Sequence, residues 1–245
     1  MRIVFSRKGF DSASGGGPSP IVAGRPVTLP IPAAESLSRT TYDALGLGDH
    51  SAKASRGRLG AGSLCHHDPM FLDGGQVLLG QCGAAQTHLA NQQVGTGDVF
   101  LFFGLFREDA SKPHHRLFGY LRVAEVLPLA TMDSARKAGL AALGFPHALA
   151  LHASNGNDTL YRGRGGQASH ASDALRLTED GASPTNWRVP EWLAEVGLSY
   201  HDNPARWTEP GRLNSVARGQ EFVADVGDRT DAHRWLEAIV AEMEI

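Results

Sequence analysis

A chain of 245 residues with 42% hydrophobic and 20% charged side chains has the make-up of a water-soluble globular protein able to bury a sizeable core. Its formal net charge of −3 excludes a protein held to duplex DNA mainly by phosphate contacts, because that mode needs a basic footprint. Two cysteines, Cys65 and Cys82, exclude a disulfide framework and point to a reducing cytoplasm, and no stretch reaches the roughly 20 apolar residues of a membrane-spanning helix.

The opening "RIVFS" (2–6) alternates and is β-branched, which predicts a strand, and "MRIVFSRKGF" lacks the apolar run of a secretory signal. Glycines and prolines in "RKGFDSASGGGPSPI" end that strand in a loop. Ala33, Leu37, Tyr42 and Leu45 give a helical pattern over 33–46, and the polar, glycine-rich 47–63 reads as a long loop. Three strands follow: "GQVLLGQCG", "GDVFLFFGLFRE" (97–108) and "HRLFGYLRVAEVLPL" (115–129). Val99–Phe103 is apolar on both faces, so the second of these is expected to be central and buried. Thr131 is expected to cap a helix through about 142, with Met132, Ala135, Leu140 and Ala141 inside. Asn, Gly and Pro break 149–166 and 173–193 into short strands and turns. Thr230 is expected to cap a final helix, with Trp235, Ile239, Val240 and Met243 on its inner stripe. The expected fold is one α+β domain over 1–245, built around a bent, mostly antiparallel sheet with peripheral helices and long loops.

The densest chemistry lies in "CHHDP" (65–69). In an extended segment His66 and Asp68 share a face and can chelate one ion, while His67 points away. His88 lies beyond the next strand, and an imidazole–carboxylate donor set suits Fe(II), Mn(II) or Zn(II). The competing reading is a solvated turn in which Asp68 accepts backbone N–H bonds. A structural zinc site from Cys65, His67, Cys82 and His88 has the wrong spacings. At the exit of the first strand Arg7 and Lys8 can hold an anion and Asp11 can join a metal or cap a turn. Glu221 in "RGQEFVAD" sits in an apolar strand, where a carboxylate must be paired, coordinated or exposed. His201, His147 and His152 are further imidazoles, each alone more often a satisfied or solvent-facing residue. No G-x-S-x-G elbow, H-E-x-x-H helix or dinucleotide glycine motif is present.

Taken together, "RIVFSRKGFDS", "CHHDP", "GQCGAAQTHLANQQVGTGDVFLFFGLFR", "LFGYLRV", "LRLT" and "GQEFV" resemble the nucleotide modification associated domain 3 family over nearly the whole chain. The resemblance implies a phage- and bacteria-associated role in hypermodification of DNA bases. The family pattern reads H-L-D-P-D where this chain has His66-His67-Asp68-Pro69-Met70, so Met70 stands in place of a second aspartate. Residues 94–126 are also similar to the strand pair of PUA, EVE and ASCH-type domains, which implies a barrel-like sheet whose mouth holds a base.

Three expectations follow. In the first, a metal-dependent enzyme, non-heme iron favoured over zinc or manganese and multinuclear in one version, modifies a nucleobase, nucleotide or related small substrate. Asp11, His66, Asp68, His88, His201 and Glu221 supply ligands; Asp11, Lys8 and Glu221 act in catalysis; Arg7, Lys8, the Gln86–Thr87 pair and Gln220 contact substrate. The second is a metal-free PUA-like reader of modified bases. The third is a nucleotide-handling transferase using carboxylate acid–base chemistry. In each, binding to generic duplex DNA is expected to be weak and salt-sensitive, with "KASRGR" and "RGRGG" the local exceptions.

Overall fold

Strand signals dominate the first two-thirds of the chain, and the strands they specify share one large sheet. In a computed structural model, which describes residues 1–149, 156–217 and 219–245, the strands are β1 (Arg2–Arg7), β2 (Ser19–Val22), β3 (Arg25–Pro26), β4 (Met70–Leu72), β5 (Gln76–Gln81), β6 (Val99–Glu108), β7 (His114–Pro128), β8 (Thr159–Gln167), β9 (Asn186–Arg188), β10 (Arg212–Asn214) and β11 (Glu221–Asp225). The helices are α1 (Gly48–Ser55), α2 (Gly83–Asn91), α3 (Ser134–Ala142), α4 (Trp192–Val196) and α5 (Thr230–Glu244). The main sheet runs β11-β1-β6-β7-β8-β5-β4, with β2 and β3 on a branch beside β6 and a separate β9–β10 pair. Among the described strands β6 pairs in parallel with β1 and β2, and the other pairings are antiparallel.

The two-sided apolarity of Val99–Phe103 has the expected consequence. β6 lies between β1 and β7 and is buried on both faces. Val99, Leu101 and Phe103 pack with Ile3, Phe5 and the α5 residues Leu236, Ile239, Val240 and Met243. Phe100 and Phe102 face the other way, into a core with Val4, Val77, Leu79, Tyr161 and Leu89 of α2. The sheet curls around this second core. Gln81 on β5 and Glu221 on β11 hydrogen-bond, although four strands separate them in the sheet order. No pairing between described residues closes the curl, so the barrel implied by the PUA-like stretch is an open sheet.

Several local expectations are corrected. Residues 33–46 contain only a single 3-10 turn, Asp43–Leu45. Backbone groups of Ala33, Thr40, Tyr42 and Asp43 bond instead to 61–65, and Tyr42 plugs a small core with Phe10, Leu29 and Cys65. The supposed loop 47–63 contains α1, whose buried Ser51 and Ser55 bond back to Gly48 and Ala52 carbonyls, so serines occupy the inner face that periodicity seeks in apolar residues. α2 was invisible for a related reason, since Leu89 is its one large apolar side chain. Asp133, not Thr131, caps α3, accepting the Arg136 N–H at 2.8 Å, and Thr230 is the first residue of α5, with Arg229 in the cap position.

Chain path matters most at β1. The strand leaves the sheet after Arg7 and the chain re-enters at Ser19 beside the same strand, β6. The intervening loop therefore sits over the sheet. Gly104 of β6 permits this, because a Cβ there would lie 2.8 Å from the Lys8 carbonyl oxygen.

Candidate functional site

Strand alternation places three polar side chains on the inner side of the curl. Ser6 follows Val4 on β1, Gln81 follows Leu79 on β5, and Glu221 precedes Val223 on β11, each two residues from a partner in the second core. Glu221 Oε1 accepts from Ser6 Oγ at 3.0 Å, from Gln81 Nε2 and from Lys8 Nζ at 3.4 Å. Its Oε2 is buried without a hydrogen-bond partner. Burial pushes the Glu221 carboxyl up to about 7, and neighbouring Asp68 adds to the rise against the opposing pull of Lys8 and Ser6. Lys8 also reaches Asp68, 3.9 Å from its Oδ2, so one ammonium bridges two nearly buried carboxylates.

Asp68 is fixed on its other side by the Gly80 N–H, which donates to Oδ1 at 2.7 Å. Because β5 alternates, Gly80 faces away from Gln81, and the His147 ring rests against it. A Cβ at position 80 would fall inside that ring, so only glycine admits the imidazole here. His147 is buried, its Nδ1 lies 2.9 Å from Asp158 Oδ1, and its ring meets His66 edge-on at 5.1 Å between centroids. In metal sites a carboxylate at one ring nitrogen orients the imidazole so that the other nitrogen can ligate. His66, Asp68 and His147 each offer a donor atom, all within 4.8 Å of one another; Cys82, His147 and Asp158 form a second such group. His66, Asp68, Gln81, Cys82 and His147, with Lys8, line one cavity of about 490 Å³. Gly80→Ala is therefore expected to displace His147, costing about 1–3 kcal/mol from overpacking and removing any ion that His147 ligates. Thermal unfolding and metal content of the variant check this together.

The remaining expected site residues fall elsewhere or into other roles. His88 is held by Ser199, Nε2 to Oγ at 2.9 Å, with its ring on Tyr200. His201 is buried with both ring nitrogens engaged, Nδ1 with the Ser199 carbonyl and Nε2 with the Val216 N–H. Neither enters a donor group among the described residues, because Ser199 draws both to the β11 side. Asp11 lines the cavity, but its Oδ1 accepts the N–H groups of Ala13 and Ser14 in a turn. Arg7 lines it too, with its guanidinium bonded to the carbonyls of Val216 and Ala217 and lying over Phe103 and Phe222, which makes it a strut. Gln220 lines the cavity, whereas Gln86 is buried against the Tyr161 hydroxyl and Thr87 bonds the Gly83 carbonyl and Asn157. Cys65 is buried, its thiol pushed up to about 12 by desolvation, which suits packing and not metal binding. His67 does point away from His66, into a separate cavity. His152 lies outside the described residues.

Asp158, Gln81 and Ser6 escape the sequence reading, and His147 enters it only as an imidazole more often satisfied or solvent-facing than ligating. His147 follows a proline in a 3-10 turn and Asp158 follows "NGN", contexts that advertise only a loop.

The family comparison bears on this arrangement directly. A family model described as nucleotide modification associated domain 3 matches residues 2–225. The chain belongs to the nucleotide modification associated domain 3 family. Every site residue above, from Ser6 to Glu221, falls inside the matched span, and α5 lies beyond it. The family's description carries a role in nucleotide modification systems. No curated protein and no solved structure gives a significant match. No described helix is long and apolar enough to cross a membrane.

Proposed function

We propose that this nucleotide modification associated domain 3 protein is a metal-dependent enzyme acting on a nucleobase or nucleotide, with the ion held by His66, Asp68 and His147. The observation that carries this reading is the donor group itself: two imidazoles and one carboxylate within 4.8 Å, lining a cavity. Asp158 behind His147 supplies the carboxylate–histidine pairing that typically orients a metal-ligating imidazole. Two histidines and one carboxylate leave coordination positions open and suit Fe(II), so iron is favoured over zinc or manganese. The bound ion would supply Lewis acidity or redox chemistry to a substrate in the cavity. Lys8 would steady an anionic group there, and Glu221, its carboxyl raised by burial to about 7, would be the proton-holding group beside it.

A second reading keeps the cluster and omits the ion. Lys8, Asp68 and Glu221 form an acid–base group of the kind a nucleotide-handling transferase uses. Mass spectrometry of nucleotides and single-stranded DNA incubated with the full chain separates the two. The metal reading expects a mass change that requires added Fe(II) and disappears with a chelator and in His147→Ala. A product that forms at the same rate under chelation supports the transferase.

A further inference from the structure

"CHHDP" places consecutive histidines on opposite sides of the chain, and the structure has a cavity on each side. The second one, about 600 Å³, is the size of small-molecule sites in general. Lys8, Gly9 and Asp68 line both cavities and form the wall they share, while His66 faces the first and His67 the second. We infer that the second cavity binds the nucleobase of the substrate, stacked on Phe71 and read at its edge by Gln167 and His67, so that its reacting atom meets the other cavity across Lys8 and Asp68. This rests on the nucleotide-modifying reading of the neighbouring site.

The platform is built with unusual constraint. Phe71 is half-buried in β4, and its ring packs edge-on against Phe102 at 5.8 Å. Beneath it is Gly119 of β7, where a Cβ would lie 2.7 Å from Phe71 Cζ. The missing side chain lets the ring settle onto the strand, and the cross-strand partner of Gly119 is Gln167. Gln167 is exposed at the end of β8 and lines the cavity with Phe71. A fixed aromatic face beside an amide that both donates and accepts is the pairing that recognises a base by stacking and by its hydrogen-bonding edge. Arg25, exposed on the β2–β3 hairpin at the cavity's rim, is placed for a phosphate. By contrast, the cavity beside His147 is lined by the imidazoles, the thiol of Cys82 and the carboxylate of Asp68, and among the described residues it offers no aromatic face for stacking apart from histidine.

Calorimetric titration of the metal-free full chain with dAMP, dGMP, dCMP and dTMP, and with a short single-stranded oligonucleotide, tests this. At least one probe is expected to bind, Phe71→Ala and Phe71→Leu to weaken it about tenfold or more, and Gln167→Ala to weaken it and alter the ranking of bases. His66→Ala and His147→Ala should keep nucleotide affinity within about threefold, because stacking lies across the shared wall. Tighter binding of the oligonucleotide identifies a base in a strand as the source, and tighter binding of a monophosphate identifies the free nucleotide; either supports the site. The inference is overturned if no probe binds, if Phe71→Leu and Gln167→Ala leave affinity unchanged, or if His147→Ala abolishes binding. Since Gln167 is exposed, its variant remains informative even where a Phe71 variant folds poorly. Nucleotide binding with no metal uptake sinks the metal reading alone, and metal uptake with no nucleotide binding sinks this one alone.

Discussion

Full-length protein loaded anaerobically with Fe(II) is expected to take up about one ion per chain, and His147→Ala to weaken that uptake by two orders of magnitude or more. His66→Ala and Asp68→Ala are expected to do the same, since each removes one of the three donors that lie within 4.8 Å. Asp158→Asn should cost about 10–100-fold, the usual effect of losing the partner that orients a ligating imidazole. His88→Ala, His201→Ala and His67→Ala should retain the ion. The first two rings are bound at Ser199 and the third faces the other cavity. Competition with a chromophoric chelator gives the affinities, and circular dichroism confirms that each variant folds. Full metal content in the double variant His66→Ala/Asp68→Ala would end the metal reading and leave the acid–base cluster as the site.

Stability should fall as pH rises through neutrality, and Glu221→Gln should remove that fall. The sign comes from the buried carboxyl. Its folded value is raised to about 7 from an ordinary 4.5, so between those values the native state holds a proton that the unfolded chain has released. Stability from this group is fully present below about 4.5 and is lost as pH climbs through 7. A shift of that size corresponds to about 3 kcal/mol. Glutamine cannot ionise, yet it keeps an acceptor for Ser6 and Lys8. Urea unfolding of both proteins at pH 5 and pH 8 measures the difference. A parallel loss in wild type and variant would show that Glu221 is ionised throughout. Lys8→Met is expected to raise the Glu221 carboxyl further, because the cation that favours its charged form is gone.

Local pattern was sufficient for much of this molecule. Alternation and β-branching in 2–6, 97–108 and 115–129 determine strands wherever they end up, and the two-sided apolar run Val99–Phe103 determines that β6 is interior. Helical spacing did the same for α5, and the alternation in "CHHDP" put His66 on one cavity and His67 on another, with Asp68 in the wall between them. Other features have no local signature because their causes are long-range. The polar faces of α1 and the single leucine of α2 are buried by neighbours far along the chain. The third donor, His147, reaches His66 and Asp68 only because Gly80 lacks a side chain and Asp158 anchors the ring, two facts that no spacing within "FPH" encodes. Glu221 could be recognised from sequence as a carboxylate needing a partner. That the partners are Ser6, Gln81 and Lys8 was decided by the curl of the sheet, which carries its β11 edge across four strands to meet β5.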